Sequence, residues 1–322
     1  MGGVIPPMID WRVASVPVGC GNCIECRKQK SREWSVRLKE DIKEHKNGQF
    51  VTLTFSYDGY KEMVEEAYKV VEKEIIEAEK IECYKERDKQ IRKCNEKIRG
   101  YGIENTVAKV ATRLFLERWR KKYKKSVRHW LVTELGGKGT ERVHMHGIIW
   151  TDNVEDIEKI WKYGKVWDGY DDKGKRINYV NEKTINYCVK YISKIDILHS
   201  QFKSKILTSA GIGSRYTKVW DSNRNKYKDK DTVQTYKDRS GIEIALAKYW
   251  RNKIYTEEEK EKMWINMLDK EERYVCGEKV SIKNGEEEYY KLVEWYRKKN
   301  SRLGYGNDKG WEKKKYEEEE EK

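Results

Sequence analysis

Residues 143–150 read Val-His-Met-His-Gly-Ile-Ile-Trp, and the predicted fold and site are both organised around this stretch. β-Branched and aromatic residues dominate it, proline is absent, and glycines precede it, which predicts a β-strand. Side chains alternate between the faces of a strand, so His144 and His146 share one face and Met145 lies on the other. Two imidazoles at this spacing can ligate one divalent metal ion, although such pairs also occur as ordinary surface residues.

A second strand is predicted just before the first. Residues 128–135 (Arg-His-Trp-Leu-Val-Thr-Glu-Leu) have the same β-forming composition, and the linker 136–140 is rich in glycine. Two such strands joined by a turn-forming linker predict a β-hairpin.

The register of this hairpin decides whether a carboxylate joins the two histidines. We expect Glu134 to pair near His146, which puts Glu134, His144 and His146 on one face. A carboxylate with two histidines and open coordination positions suits Mg²⁺ or Mn²⁺ held for phosphoryl chemistry. A slip of one residue would turn Glu134 away and leave a simple polar pair. The same register places Val132 opposite Ile148 and Trp130 opposite Trp150.

Composition narrows the class of protein. The 322 residues carry a formal charge of +14, and 12% of them are aromatic, with 22 Tyr and 12 Trp. Cations can meet phosphates and rings can stack on bases, so a nucleic-acid partner is favoured over charge that serves solubility alone. The absence of an 18-residue apolar run or an apolar leader predicts a cytoplasmic protein with reduced thiols.

Three cysteines near the start form a candidate zinc site. Cys20, Cys23 and Cys26 are separated by two residues each, a spacing that suits zinc, but a fourth ligand is not evident nearby. A thiol-rich loop leading into a basic helix is the alternative interpretation.

A helix with two tyrosines is the second decisive element. Tyr187 and Tyr191 are four residues apart, so a helix presents both on one face, and Lys190 and Lys194 each follow a tyrosine by three residues. A phenol has a pKa of ~10 and is a poor nucleophile at neutral pH. A neighbouring ammonium and a metal-polarised phosphate would both help it attack. The alternative is an amphipathic helix whose tyrosines pack on a sheet.

We expect four regions and a fold of the α+β class, with a central antiparallel sheet flanked by helices. A P-loop motif for nucleotide binding is absent from the sequence. Residues 207–213 have the composition of a flexible loop, and 242–272 that of a helical segment. The regions are a Cys-cluster and basic N-terminal region (1–45), a catalytic domain (46–200) with a helical insertion (61–104), a helical C-terminal region (201–310) and a charged disordered tail (311–322).

Several of these motifs together resemble the HUH endonuclease superfamily. His144-Met145-His146-Gly147 resembles its His-hydrophobe-His motif, residues 187–194 its nucleophile helix in the two-tyrosine form, and residues 50–55 its first-strand motif. The resemblance is closest to replication initiation proteins of gokushovirus-type single-stranded DNA phages (Microviridae). It covers most of the chain, including Cys20–Cys26 and Tyr249–Glu259, whereas the insertion at 61–104 is longer than is usual there.

The resemblance implies a metal-dependent, site-specific DNA endonuclease and strand transferase that starts rolling-circle replication in the bacterial host cytoplasm. A tyrosine would nick single-stranded DNA at the phage origin, form a 5′-phosphotyrosine link and leave a 3′-OH primer. Of the two, Tyr191 is slightly favoured for the first attack. The second tyrosine would cut after one round so that a circle is rejoined, and a host helicase and DNA polymerase would be partners. The implied fold is related to RNA-recognition and ferredoxin-like domains.

Two alternatives stay open on the sequence. One is a nucleic-acid-binding protein without catalytic activity, in which the histidines are structural. The other is a transposase or plasmid relaxase of the same superfamily.

Overall fold

A sheet with strand order β4-β1-β3-β2-β5 forms the centre of the computed structural model, and every pairing in it is antiparallel. The described residues are 10, 12, 24–137, 140–167, 169, 180–194, 199, 202–239, 241–276 and 278–302. This sheet and its flanking helices confirm the predicted α+β class. The strands are β1 Gly48–Leu53, β2 Arg128–Leu135, β3 Val143–Trp150, β4 Val166–Trp167 and β5 Ile206–Thr208.

The helices precede, interrupt and follow the sheet. Their bounds are α1 Ile24–Glu44, α2 Tyr57–Glu79, α3 Tyr84–Glu96, α4 Gly102–Tyr123, α5 Glu155–Trp161, α6 Glu182–Ser193, α7 Lys248–Ile254, α8 Glu257–Asp269 and α9 Glu287–Arg302. The predicted helical insertion is present as α2 and α3, and the break between them comes at 80–83, slightly earlier than the polar stretch at 85–89 had indicated.

One face of the sheet is buried under α2, α4 and α5. Alternate residues of β1 and β3, such as Val51, Leu53, Met145 and Ile149, are fully buried there because strand side chains point to opposite faces in turn. The helices fill this core with Met63 and Ala67 from α2, Val107, Ala111 and Phe115 from α4, and Ile157 and Trp161 from α5. The opposite face is thereby left for α6, which lies against β2.

The predicted hairpin forms, with a correction to its register. Glu134 pairs with His144 and Val132 with His146, so the strands are offset by two residues from the expected alignment. Beyond the last strand pair, Leu135 with Val143, the amide of Gly136 donates to the carbonyl of Arg142, which continues this alignment into the linker. Since side chains alternate with a period of two, the even offset keeps Glu134 on the face of the histidines. The same correction puts Trp130 opposite Ile148 and not opposite Trp150.

Two further sequence predictions hold for only part of their range. Residues 207–213 were expected to be a flexible loop, but β5 begins at Ile206 and pairs with β2 as an edge strand. The expected helical segment 242–272 begins with a short strand, Glu243–Ala245, and is helical from Lys248 onward as α7 and α8. Three residues are too few to show the alternating pattern on which strand prediction depends.

The chain divides into two compact units, which we call the sheet unit (residues 42–212) and the second unit (residues 1–41 and 213–322). The predicted boundaries of the four regions stay a prediction. The region after 212, expected to be helical, contains α7–α9 together with two hairpins and short 3-10 helices. The hairpins are β6 Thr235–Lys237 with β7 Glu243–Ala245, and β8 Glu272–Val275 with β9 Glu278–Ser281; the 3-10 helices are Ser214–Lys218, Trp220–Asn225 and Asp229–Asp231.

An aromatic cluster forms the core of the second unit. The rings of Tyr216 and Trp250 lie with their centroids 4.3 Å apart, Tyr236 contacts both, and the indole N–H of Trp250 donates to the carbonyl of Gly213. The predicted tail 311–322 lies outside the described residues. None of the helices in the described part of the chain has the length and apolar character needed to cross a membrane.

Gly147 provides a test of how tightly the hairpin is built. A Cβ at this position would lie 2.0 Å from the carbonyl oxygen of Trp130, whereas a Cβ at Gly137 would meet no described atom within 4 Å. We expect Gly147→Ala to lower the free energy of unfolding by about 1–3 kcal/mol, because the backbone of β2 must move. Gly137→Ala is the matched control and should change it by less than about 0.5 kcal/mol. Urea denaturation of both variants measures the difference, and equal stabilities would contradict the close approach.

Candidate active site

The carboxylate of Glu134 is the point at which three basic side chains meet. Its Oε2 lies 3.1 Å from Nε2 of His144 and 2.9 Å from Nε2 of His146, and its Oε1 accepts a hydrogen bond of 3.1 Å from Nζ of Lys194. Glu134 and both histidines are largely shielded from solvent, whereas the Lys194 side chain is half exposed. The site therefore joins the β2–β3 hairpin to the end of α6.

These three groups have the arrangement of a metal site. Within the described residues, Glu134, His144 and His146 form the group of His, Cys, Asp or Glu ligands in which all ligand atoms lie within 4.8 Å of one another. Two imidazole nitrogens and one carboxylate oxygen on one side leave the remaining coordination positions open, which is the donor set of a catalytic divalent ion. The residues thus fit a metal ion; they do not determine which one.

The electrostatics of the site favour ligands in the right protonation state. Burial raises the pKa of Glu134, but hydrogen bonds from His144, His146 and Lys194 outweigh this and hold the pKa well below its usual range. Burial lowers the pKa of His146 against the opposing hydrogen bond with Glu134. At neutral pH the site therefore offers an ionised carboxylate and a neutral imidazole at His146, as metal ligation requires.

Thr52 of β1 contacts the ring nitrogen of His146 that is turned away from Glu134. Its Oγ1 lies 3.0 Å from Nδ1 of His146, because β1 pairs with β3 so that these two residues are directly opposite. A carboxylate oxygen only accepts, so the Nε2–H of His146 donates to Glu134 and Nδ1 accepts the Thr52 hydroxyl proton. If Nε2 ligates a metal, the imidazole proton moves to Nδ1 and Thr52 becomes the acceptor.

The sequence analysis did not single out Thr52. The signal was present in β1, where Phe50 and Thr52 are half-buried and alternate with the buried residues Val51 and Leu53. Alternation alone identifies the face, but only the pairing with β3 shows that Thr52 meets His146.

Helix α6 places both predicted tyrosines beside this group. Asn181 caps the helix by accepting from the amides of Lys183 and Thr184, which fixes where α6 begins. The ring of Tyr191 stacks on the imidazole of His146, with centroids 4.5 Å apart and planes 6° apart. The ring of Tyr187 lies edge-on to Phe50 of β1, at 5.7 Å between centroids.

The two phenols are hydrogen-bonded but differ in environment. The hydroxyl of Tyr191 donates to the hydroxyl of Tyr187 at 2.6 Å. Tyr191 is buried, and its pKa is raised far above the ordinary value by burial, by this hydrogen bond and by the charge of Glu134. Tyr187 is 42% exposed. Burial also raises the pKa of Cys188, between them, to about 12, which makes this thiol a poor competing nucleophile.

The two predicted lysines lie beside the tyrosine pair. Nζ of Lys190 is 3.9 Å from the ring centroid of Tyr187 and 5.2 Å from that of Tyr191, while Lys194 is bound to Glu134. Beside them a shallow, open depression is lined by Glu134, Tyr191 and Lys194 together with Leu135, Phe202 and Ser204. Lys194 thus lines this depression together with Tyr191, and Lys190 places a second positive charge beside the phenols.

The predicted zinc ligands are not brought together within the described residues. Cys26 lies in the first turn of α1, whereas Cys20 and Cys23 lie outside the part of the chain that the structure describes. The zinc site stays a prediction.

Together the fold and the site define a class: an antiparallel-sheet domain with a carboxylate–two-histidine group under a helix that carries paired tyrosines. Residues 48–196, just under half of the chain, match the family model of replication-associated protein ORF2/G2P. The matched stretch begins with β1 and ends after α6, so it contains the whole site. No curated protein and no solved structure shows significant similarity to the chain.

Metal binding by the triad can be measured directly. We expect Glu134→Gln and the double variant His144→Ala/His146→Ala to lose Mn²⁺ binding in isothermal titration calorimetry, because each removes ligand atoms from the group. Glu155→Gln is the control, since its side chain is 90% exposed on α5. Unchanged Mn²⁺ affinity in both site variants, with the fold intact by circular dichroism, would rule the triad out as the metal site.

A separate test addresses Thr52. Partners of ligating imidazoles typically change metal affinity by about 10- to 100-fold, and we expect a loss in this range for Thr52→Val, which removes the hydroxyl but keeps the branched shape. Thr52→Ser restores the oxygen and should bind Mn²⁺ nearly as well as the wild-type protein. If the valine and serine variants bind equally, Thr52 does not orient His146.

Proposed function

We propose that the protein is a replication initiator that nicks single-stranded origin DNA by metal-assisted tyrosine attack. The observation that carries this proposal is the stacking of Tyr191 on His146, which sets a two-tyrosine helix directly over a group able to hold a metal ion. The match of residues 48–196 to replication-associated proteins supports replication as the setting.

A divalent ion held by Glu134, His144 and His146 would polarise the target phosphate and offset its charge. Lys190, whose Nζ lies 3.9 Å from the ring centroid of Tyr187, would add positive charge where negative charge develops in the transition state. Lys194 occupies Oε1 of Glu134, so Oε2 is the oxygen directed at the two imidazoles. The lysine thereby orients the carboxylate as well as contributing charge.

In the first step, the oxygen of one tyrosine attacks phosphorus while the bond from phosphorus to the 3′ oxygen breaks. The phenol loses its proton, the departing 3′ oxygen gains one, and the new bond is a 5′-phosphotyrosine link. One phosphoester is exchanged for another, so the energy of the broken bond is kept in the link. The free 3′-OH then primes synthesis, for which a host helicase and DNA polymerase would be recruited.

Paired tyrosines suit the second half of such a cycle. While one tyrosine carries DNA, the other can attack the regenerated junction, and the released 3′-OH can attack the first link to close a circle. A binding protein without catalytic activity would have no use for two phenols hydrogen-bonded beside a metal-type ligand group. This geometry favours an enzyme over the non-catalytic alternative.

The environments of the two phenols favour an order of attack. Tyr187 is exposed, its oxygen accepts the hydrogen bond from Tyr191, and its ring lies under Lys190, so its oxygen is accessible to a phosphate attracted by that charge. Tyr191 is buried and its proton is engaged. We therefore propose that Tyr187 makes the first cut, the reverse of the order favoured from the sequence.

Covalent capture on DNA tests the function. The protein is incubated with Mn²⁺ and a random-sequence single-stranded DNA library, and DNA that stays attached after denaturation is sequenced from its linked 5′ end. We expect a defined cleavage sequence and an adduct that maps by mass spectrometry to Tyr187. Tyr187→Phe should reduce this adduct by at least about tenfold, and Tyr187→Phe/Tyr191→Phe should form none.

Tyr68→Phe on α2 is the control for loss of a half-exposed phenol and should react like the wild-type protein. An adduct on Tyr191 alone would reverse the proposed order but keep the function. An adduct outside α6, or full cleavage by the double variant, would overturn the mechanism.

A further inference from the structure

Trp220 of the second unit is the most exposed large apolar side chain among the described residues. It is 83% exposed, compared with 74% for Tyr57 and 70% for Tyr84. Indole is the largest side chain available for burial, and proteins usually use it in a core or at an interface. An indole left almost wholly in solvent therefore points to a partner that covers it.

The segment that presents Trp220 is firmly anchored. Four residues before it, Tyr216 is buried and donates a 2.6 Å hydrogen bond to the side chain of Asn225. Asn225, five residues after Trp220, is fully buried and donates to the carbonyls of Val233 and Thr235. The indole is thus exposed on a backbone segment that is anchored on both sides. Little conformational freedom is therefore lost when a partner binds.

The chain segment that carries Trp220 is basic. Residues 214–228 contain five Lys or Arg and one acidic residue, Asp221. Arg224 forms an ion pair of 2.7 Å with Glu243. The other four cations of this segment are Arg215, Lys218, Lys226 and Lys228.

We propose that Trp220 and the basic residues around it form a binding site for single-stranded DNA, separate from the catalytic residues. The indole stacks on one base, and cations such as Lys218 and Arg215 contact the adjacent phosphates. A duplex presents only base edges and phosphates to a protein. The exposed indole can stack only on a base whose face is free, as in a single strand. A protein partner fits less well, because the centres of protein interfaces are depleted in lysine.

The choice of DNA over RNA rests on the proposed function, but the site can be tested without any cleavage. Binding of a fluorescein-labelled 15-residue oligo(dT) is followed by fluorescence anisotropy in buffer without added divalent ions. Stacking on one aromatic ring typically changes affinity by roughly 5- to 150-fold, and we expect a loss in this range for Trp220→Ala. Trp220→Phe keeps a ring and should lose less.

Charge and stacking can be separated by varying the salt concentration. Trp220→Ala should leave the salt dependence of log Kd unchanged, whereas Lys218→Gln should lower its slope by about 0.7, the value for one phosphate contact on a single strand. Tyr84→Ala, which removes a similarly exposed ring from α3, is the matched control and should bind as the wild-type protein does.

Several results would overturn the proposal: wild-type affinity in Trp220→Ala, an equal loss in Tyr84→Ala, tighter binding of a 15-base-pair duplex, or a preference for oligo(U) over oligo(dT). A change in self-association of Trp220→Ala in sedimentation velocity, with DNA affinity unchanged, would make the surface a protein interface. Failure of covalent capture together with the expected loss in Trp220→Ala would refute the nicking function and leave this site standing.

Discussion

The site depends on the pairing of β2 with β3, because this alignment alone brings Glu134 to the two histidines. Two hydrogen-bond donors on β3 and one at the end of α6 converge on the carboxylate of Glu134, which lies on β2, the neighbouring strand of the same sheet. The close approach at Gly147 and the helices packed on the opposite face hold these strands rigidly. A catalytic arrangement built on paired strands has little freedom to drift, which is what a metal-dependent reaction requires of its ligands.

Parity explains why the sequence placed Glu134, His144 and His146 on one face although the predicted register was wrong. Strand side chains alternate, so His144, His146 and Glu134 share a face for every even alignment of the hairpin. The exact offset depends on how the linker closes, and a glycine-rich linker has many ways to close. The spacing of Tyr187 and Tyr191 also identified the tyrosine helix, because spacing along one helix is independent of the rest of the fold.

The features that the sequence did not predict all depend on contacts between distant segments. Thr52 is 94 residues from His146, and its role follows only from the pairing of β1 with β3. Three residues of β5 become a strand because β2 offers an open edge, and their own pattern does not specify it. The sequence pattern does not predict the exposure of Trp220 either, since tryptophan is on average a highly buried residue.

The hairpin of α2 and α3 has a practical consequence of its own. It leaves the sheet after β1 and returns through α4, and its tip at residues 80–83 carries the exposed Cys83. Cys94 and Cys188 are buried, which protects their thiols from reagents in solution. Among these three thiols, a maleimide dye should therefore react first at the tip of this hairpin. The tip of this hairpin thus offers an attachment point for a fluorescent reporter in the sheet unit.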